Sequence, residues 1–148
     1  MTKQGVGARV LRKEDDRFMR GRGEFVADLR FAGMLDVAFV RSPLAHGRIR
    51  SISVPPEHGR AVFKASDLDH VNPIRAVSGL RGFKISDQPP LATEKVRYVG
   101  EIVAMCMAPS RALAEDIAAT VSLDIEELPA VYDMLAAREP GTALLHDH

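Results

Sequence analysis

Between Pro89 and Pro129 the chain carries its most regular alternation of apolar and polar positions. Ile102, Ala104, Cys106 and Ala108 fall on one side of an extended segment, and Val103, Met105 and Met107 on the other. Both sides are apolar, which predicts a central strand covered on both faces. Pro109 and Ser110 end it, with Ser110 placed to cap a helix. Leu113, Ile117 and Val121 then recur at helical spacing beside Ala114 and Ala118, with Glu115 and Asp116 on the outer side. One main helix is therefore expected over about Ser110–Val121. The period then shortens to two. Val121, Leu123 and Ile125 alternate with Ser122, Asp124 and Glu126, the pattern of a strand with one wet face.

The rest of the chain is less periodic. Residues 1–32, punctuated by Gly5, Gly7, Gly21 and Gly23, are expected to be largely extended or irregular, with a short extended piece at Phe25–Val26 and mobile first residues. Leu35, Val37 and Phe39 share a face within Met34–Arg41, which predicts a strand. A second strand is expected over Arg48–Val54. The short SPLAHG connection predicts that the two pair antiparallel. PPEHGR at residues 55–60 reads as a break, Ala61–Lys64 as a short strand, and Ser66 as a cap for a brief turn over Asp67 and Leu68. Residues 69–90 contain Asn72-Pro73, Ser78-Gly79, Arg81-Gly82 and Pro89-Pro90 and have no apolar period. They predict a long loop, of a length that is usually functional or packed on something else. A short helical candidate covers Tyr132–Ala137. Together these elements describe an α+β fold, a small mixed sheet with one main helix and short helical turns, in a single domain over residues 1–148.

Composition narrows the function classes. A length of 148 residues can bury a core of its own. Twenty basic and 20 acidic residues give no net charge, which argues against nucleic acid as the main partner. No apolar run approaches the length of a membrane span, and the polar N-terminus lacks the apolar core of a secretory signal. One cysteine rules out an internal disulfide framework and fits a reducing compartment, so a cytoplasmic location is expected.

Candidate chemistry is sparse. Cys106 lies mid-strand between Met105 and Met107, where a buried thiol lacks the exposure and the pKa-lowering neighbour that reactivity needs. Among His46, His58, His70, His146 and His148, the last two make a His-x-His pair without a zinc-site partner at suitable spacing. His46 sits in the loop between two strands, where it reads either as a site residue or as a histidine bonded to backbone. Gly21-Arg22-Gly23 could offer backbone N–H groups and a guanidinium to an anion, but it does not join a strand to a helix and reads better as a turn. Glu101 begins the central strand and reads as a solvated acid or the partner of Arg97. No Ser-His-Asp or Cys-His set can be assembled, and no catalytic, cofactor-binding or metal residue is assigned.

Three phrases together, RVLRKEDDRFMRGRGEFVADLRFAGMLDVAFVRSPLAHGRI (Arg9–Ile49), PPLATEKVRYVGEIVAM (Pro89–Met105) and SRALAEDIAATVSLDIEELPAV (Ser110–Val131), resemble the N-terminal domain of the molybdenum-binding large subunit of the molybdenum hydroxylases. That family includes xanthine dehydrogenase, aldehyde oxidase and aerobic carbon monoxide dehydrogenase. The ending LLHDH resembles the close of the same domain. The most specific combination is Gly-Arg-Gly with Asp28, then Arg41-Ser42-Pro43 with Ala45-His46, then Val99-Gly100-Glu101. The resemblance implies the α/β hammerhead fold. It also implies a departure, because PPEHGR stands where relatives usually carry a longer segment, often helical.

For function, the resemblance implies an enzyme that hydroxylates an aldehyde or an N-heterocycle with oxygen from water, or that oxidises carbon monoxide. Electrons in that family pass from a molybdopterin-bound metal through iron–sulfur clusters to a flavin. The family's catalytic glutamate and pterin-contacting segments lie downstream of this domain, so no residue here inherits such a role. A single cysteine excludes an iron–sulfur cluster within the chain, since a cluster needs four ligands. The expected role is structural, inactive alone, with the catalytic domains or subunits of the enzyme as partners. On that reading the chain is a fragment, a truncated gene product or a separate subunit. Alternatives are a free-standing interaction module and, resting on His46 and Glu101 alone, a small enzyme. Val71, Ile74, Val77, Leu80, Phe83 and Ile85 in the long loop imply a partner surface, with self-association of the isolated chain.

Overall fold

A computed structural model describes residues 5–8 and 10–146 and divides the chain into two units, Met1–Met34 and Leu35–His148. In the first unit Asp15–Met19 forms a five-residue helix, α1. Asp15 and Asp16 sit in its first turn, where the helix dipole favours negative charge. A helix this short and polar has no apolar stripe, which is why periodicity does not find it. Residues Val26–Asp28 form a 3₁₀ turn, with Asp28 Oδ2 accepting from the Phe25 amide at 3.0 Å. The expected extended piece is thus confined to Phe25. The first four residues, for which mobility is expected, lie outside the described residues.

The second unit holds β1 (Asp36–Arg41), β2 (Gly47–Ser53), β3 (Val62–Lys64), β4 (Ile74–Arg75), β5 (Asp87–Gln88), β6 (Lys95–Val96), β7 (Ile102–Ala108), α2 (Arg111–Thr120) and β8 (Ser122–Glu127). They build a sheet of order β1-β7-β3, a second of order β6-β2-β8 and a two-stranded β4-β5 ladder. Every one of these pairs is antiparallel. The architecture is the α+β one expected from the sequence, with its β content divided among small sheets.

The strand–helix–strand order stands as read, but the expected cover on both faces of the strand does not. β7 is the central strand of its sheet, and Ser110 caps α2 by accepting from the Leu113 amide at 3.3 Å. Ala38, Val40, Val62, Ala104, Cys106 and Ala108 form a floor beneath Ala114 and Ile117 of α2. Small side chains on both sides let helix and sheet approach closely. Leu113 is 45% exposed, so the inward stripe of α2 runs through Ala114 instead. Val103, on the other face of β7, joins Ala92 and Val96 in a second core against Ile49, Ile52, Leu123 and Ile125. Beyond Val103 that face is only half covered, since Met105 and Met107 remain partly open.

Several expectations are corrected. β1 and β2 do not pair with each other; β1 joins β7, and β2 joins β8 and β6. Loop length alone suggested a hairpin, but hydrogen bonds around the loop turn the chain from one sheet into the other. Residues Pro56–His58, read as a break, make one 3₁₀ turn. Ala65–Asp67 makes another. Its start is fixed by Asp67 Oδ2 accepting from the Lys64 amide at 2.7 Å, so Ser66 is not the cap. The long loop carries the β4-β5 ladder, and the tail turn falls on Ala136–Arg138 instead of Tyr132–Ala137.

Candidate functional site

Polar side chains gather where the chain passes from β1 to β2 and where it enters β7. The two places form one corner. The Ser42 amide donates to the Glu101 carbonyl at 2.9 Å, and the Gly100 amide donates to the Ser42 carbonyl at 2.8 Å. Arg41 Nη1 donates to the Gly100 carbonyl at 2.8 Å. Gly100 has a φ of +87°, a left-handed conformation that favours glycine. Ser42 Oγ is itself occupied, donating to the Leu44 carbonyl at 2.8 Å and accepting from the Leu44 amide at 3.1 Å. That closes the first turn of the loop.

His46 and Gly47 complete the corner from the other side. His46 is 4% exposed, and its Nδ1–H donates to the Pro129 carbonyl at 2.8 Å. This bond requires the proton on Nδ1. Nε2 is buried without a partner among the described residues. The Leu128 amide donates to the His46 carbonyl at 3.0 Å, so one residue ties the loop to the end of β8 twice. At Gly47 a Cβ would stand 2.5 Å from Ile125 Cγ2 and 2.9 Å from the Glu126 carbonyl, so only glycine fits.

Glu101, also 4% exposed, accepts from the Arg97 amide through Oε2. Arg97 Nη1 stands 3.8 Å from Glu101 Oε1 and donates to the Lys95 carbonyl at 3.3 Å. The expected Arg97 partnership is therefore real, and it is made mainly by the backbone. A cleft of about 150 Å³ opens beside this pair, lined by Asp87, Gln88, Arg97, Tyr98, Glu101 and His146. Gln88 Nε2 donates to Tyr98 Oη across it at 3.0 Å. Acid, guanidinium and phenol stand together here, but Glu101 and Tyr98 are already engaged with the protein.

The other sequence candidates are dispersed. Cys106 is fully buried, and burial pushes its thiol pKa up, the opposite of what a nucleophile needs. His58 is half-buried, and His70 is exposed beside Asp69. His148 lies outside the described residues. In the first unit Gly21 closes the turn after α1, while Arg22 and Gly23 are irregular, and a Cβ on Gly23 would stand 3.0 Å from the Phe18 ring. Ser42, Gly47 and Pro129 were not among the candidates. The signal for the first two was the Ser-Pro and His-Gly pairs of the loop, and Pro129 acts only through its carbonyl.

Among the described residues no three His, Cys, Asp or Glu side chains converge as metal ligands. No glycine-rich turn leads into α2, whose N-terminus is preceded by Pro109 and Ser110. No helix among the described residues is long and apolar enough to cross a membrane.

In this two-core α+β unit, Arg41 and Ser42 of one motif phrase bond to Gly100 and Glu101 of another. Residues 20–129 match the family described as aldehyde oxidase and xanthine dehydrogenase, a/b hammerhead domain, and the chain belongs to that family. It is 38% identical to the nicotine 6-hydroxylase large subunit of Paenarthrobacter nicotinovorans over 90% of this chain and 17% of that one. The crystal structure of quinoline 2-oxidoreductase from Pseudomonas putida 86 superposes with a TM-score of 0.82 at 44% identity, over 92% of this chain and 18% of that one. A Cu,Mo-CO dehydrogenase in its carbon monoxide reduced state also reaches a TM-score of 0.82, at 36% identity over 95% of this chain and 18% of that one. The chain thus spans less than a fifth of the length of these relatives. Its relatives are large subunits of molybdenum-containing oxidoreductases.

Proposed function

We propose that residues 1–148 act as one structural hammerhead domain in the large subunit of a cytoplasmic molybdenum hydroxylase. The complete enzyme would oxidise an aldehyde, an N-heterocycle or carbon monoxide, using molybdopterin-bound molybdenum, iron–sulfur clusters and flavin held outside this domain. The observation that supports this reading is the fate of the motif residues. Ser42, Gly100, Glu101, His46 and Gly47 bond or pack inside the corner where the chain passes from one sheet to the other. Residues used in this way support a role in holding the fold. The partner surface on this reading is the outward segment 69–90, where Val77 and Leu80 are the most open apolar residues.

The test is a chimera in which this chain replaces the matching domain of the quinoline 2-oxidoreductase large subunit. A scaffold role predicts an assembled complex with molybdenum bound and quinoline turnover within roughly tenfold of the parent, because a shifted scaffold costs positioning only. An assembled, molybdenum-loaded complex with no turnover would place necessary chemistry in the replaced domain and defeat the reading. Failure to assemble, with both parts folded, would favour the free-standing module.

A further inference from the structure

β1 is an edge strand. It pairs with β7 along one side, and among the described residues no strand pairs with the other. Beside the open side runs a groove of about 500 Å³, walled by β1 and by Arg111, Glu115, Ala118 and Ala119 of α2. Edge strands are commonly guarded by lysine, proline, a bulge or a covering element. Between Asp36 and Arg41 this edge reads Val-Ala-Phe-Val, with no lysine or proline, and its one register shift falls at the Val40/Arg41 end. Val37 and Phe39 are 38% and 42% exposed. Backbone groups, apolar side chains and a groove therefore lie open side by side.

We propose that this edge takes up the same edge of a second copy of the chain, antiparallel, so that the β1-β7-β3 sheet continues across a two-fold axis. Such an axis runs perpendicular to the sheet and keeps each face on its own side. Only residues of one face can then lie opposite one another. The register centred on Phe39 satisfies this along the whole strand. It sets Phe39 against its own counterpart, Val37 against the aliphatic stem of Arg41, and Ala38 against Val40. Asp36 falls opposite Ser42, so no like charges meet. Arg41 already lies over the Phe39 ring at 5.5 Å and would sandwich the pair of rings.

The groove suits the same occupant. On the α2 side the incoming strand presents only Ala38 and Val40 between Asp36 and Ser42, and Ala118 and Ala119 leave room for them. Arg111 and Glu115 are satisfied by each other, at 2.8 Å, and demand no counter-charge from the newcomer. With 20 basic and 20 acidic residues, little long-range repulsion keeps two copies apart. A six-residue strand pair is small beside a standard interface, so the dimer should be weak, with a dissociation constant of about 10–100 μM.

The experiment is sedimentation equilibrium of the purified chain over a roughly hundredfold range of concentration, with hydrogen exchange on the same samples. A monomer–dimer equilibrium is expected, with amides of Asp36–Arg41 gaining protection as dimer forms. Phe39→Lys should weaken the dimer at least roughly tenfold by placing two like charges together. Ala119→Trp, an exposed change that fills the groove without touching the core, should do the same and keeps the test open if the first variant fails to fold. Leu80→Ser, on the segment 69–90, should leave the equilibrium unchanged. A chain that stays monomeric at the highest concentration overturns the proposal. So does a dimer that survives Phe39→Lys and Ala119→Trp, or one that Leu80→Ser abolishes.

Discussion

The two faces of the β1-β7-β3 sheet are both apolar and have opposite fates. Ala38, Val40, Ala104, Cys106 and Ala108 lie buried beneath α2. Val37, Phe39, Phe63, Met105 and Met107 are larger on average, yet all remain partly or largely open. The difference shows what selects a core face. A small floor lets the helix come close, and dispersion contacts accumulate only when atoms touch on all sides. Larger side chains hold more apolar surface, but on the second face only Val103 is closed over by another layer.

The comparison can be broken most directly by adding volume to each face. Ala104→Leu pushes a side chain into a fully buried site under α2 and should cost about 1–3 kcal/mol in denaturant unfolding, through overpacking. Met105→Phe, the neighbouring residue on the open face, also adds volume and should cost less than about 1 kcal/mol because the partly open site can relax. Equal losses would mean that the two faces are packed alike.

Cys106 sharpens the same contrast chemically. Cys106→Ser should cost about 1–3 kcal/mol by burying a poorly satisfied hydroxyl. Thiol labelling should be slow in the native chain and fast in denaturant. Burial raises the thiol pKa above its ordinary value of 9.0, so on raising the pH the unfolded chain loses its proton first. The stability contributed by the neutral thiol is therefore complete below about pH 9 and declines above it as the pH climbs towards the folded-state pKa. Cys106→Ala should remove that alkaline decline. Rapid native labelling would show the α2 face to be open.

The strand–helix–strand segment was legible because its apolar period changes twice, at Ser110 and at Val121, and each change coincides with an element boundary. The neighbouring β1 was found, but its grouping of Leu35, Val37 and Phe39 carries no information about which face is covered. That depends on Ala114 and Ile117, far along the chain. The β1–β2 hairpin was misread for a similar reason. Loop length bounds a connection, while the turn into another sheet is fixed by bonds from Ser42 to Gly100 and Glu101 and from His46 to Pro129. The corner was visible in the sequence as three phrases. That they bond to one another was not, since such bonds run between distant segments and leave no period. Two of the 3₁₀ turns, Ala65–Asp67 and Ala136–Arg138, were found only with shifted bounds, because three residues are too few to set a period.

The outward region has its own extreme in the β4-β5 ladder, and the smallest effect is expected there. Arg75 donates from Nε to Asp87 Oδ1 at 2.7 Å and from Nη2 to Asp87 Oδ2 at 2.6 Å. The hydrogen bonds to Asp87, and then its charge, push the Arg75 pKa up. The pair is largely exposed, at 61% and 33% for the two side chains, so water and salt screen it. It spans a two-residue ladder whose next backbone bond, from the Ala76 amide to the Ser86 carbonyl, is long at 3.4 Å. Exposed bonds of this kind set local opening rather than global unfolding. Arg75→Ala should therefore leave the midpoint of global unfolding unchanged while amides between Ile74 and Gln88 exchange faster. High salt should move wild type in the same direction and the variant less. A global loss on Arg75→Ala, or an exchange rate in this stretch that ignores both changes, would mean that the segment is held by the core. The contrast between inner and outer regions would then stop short of residues 69–90.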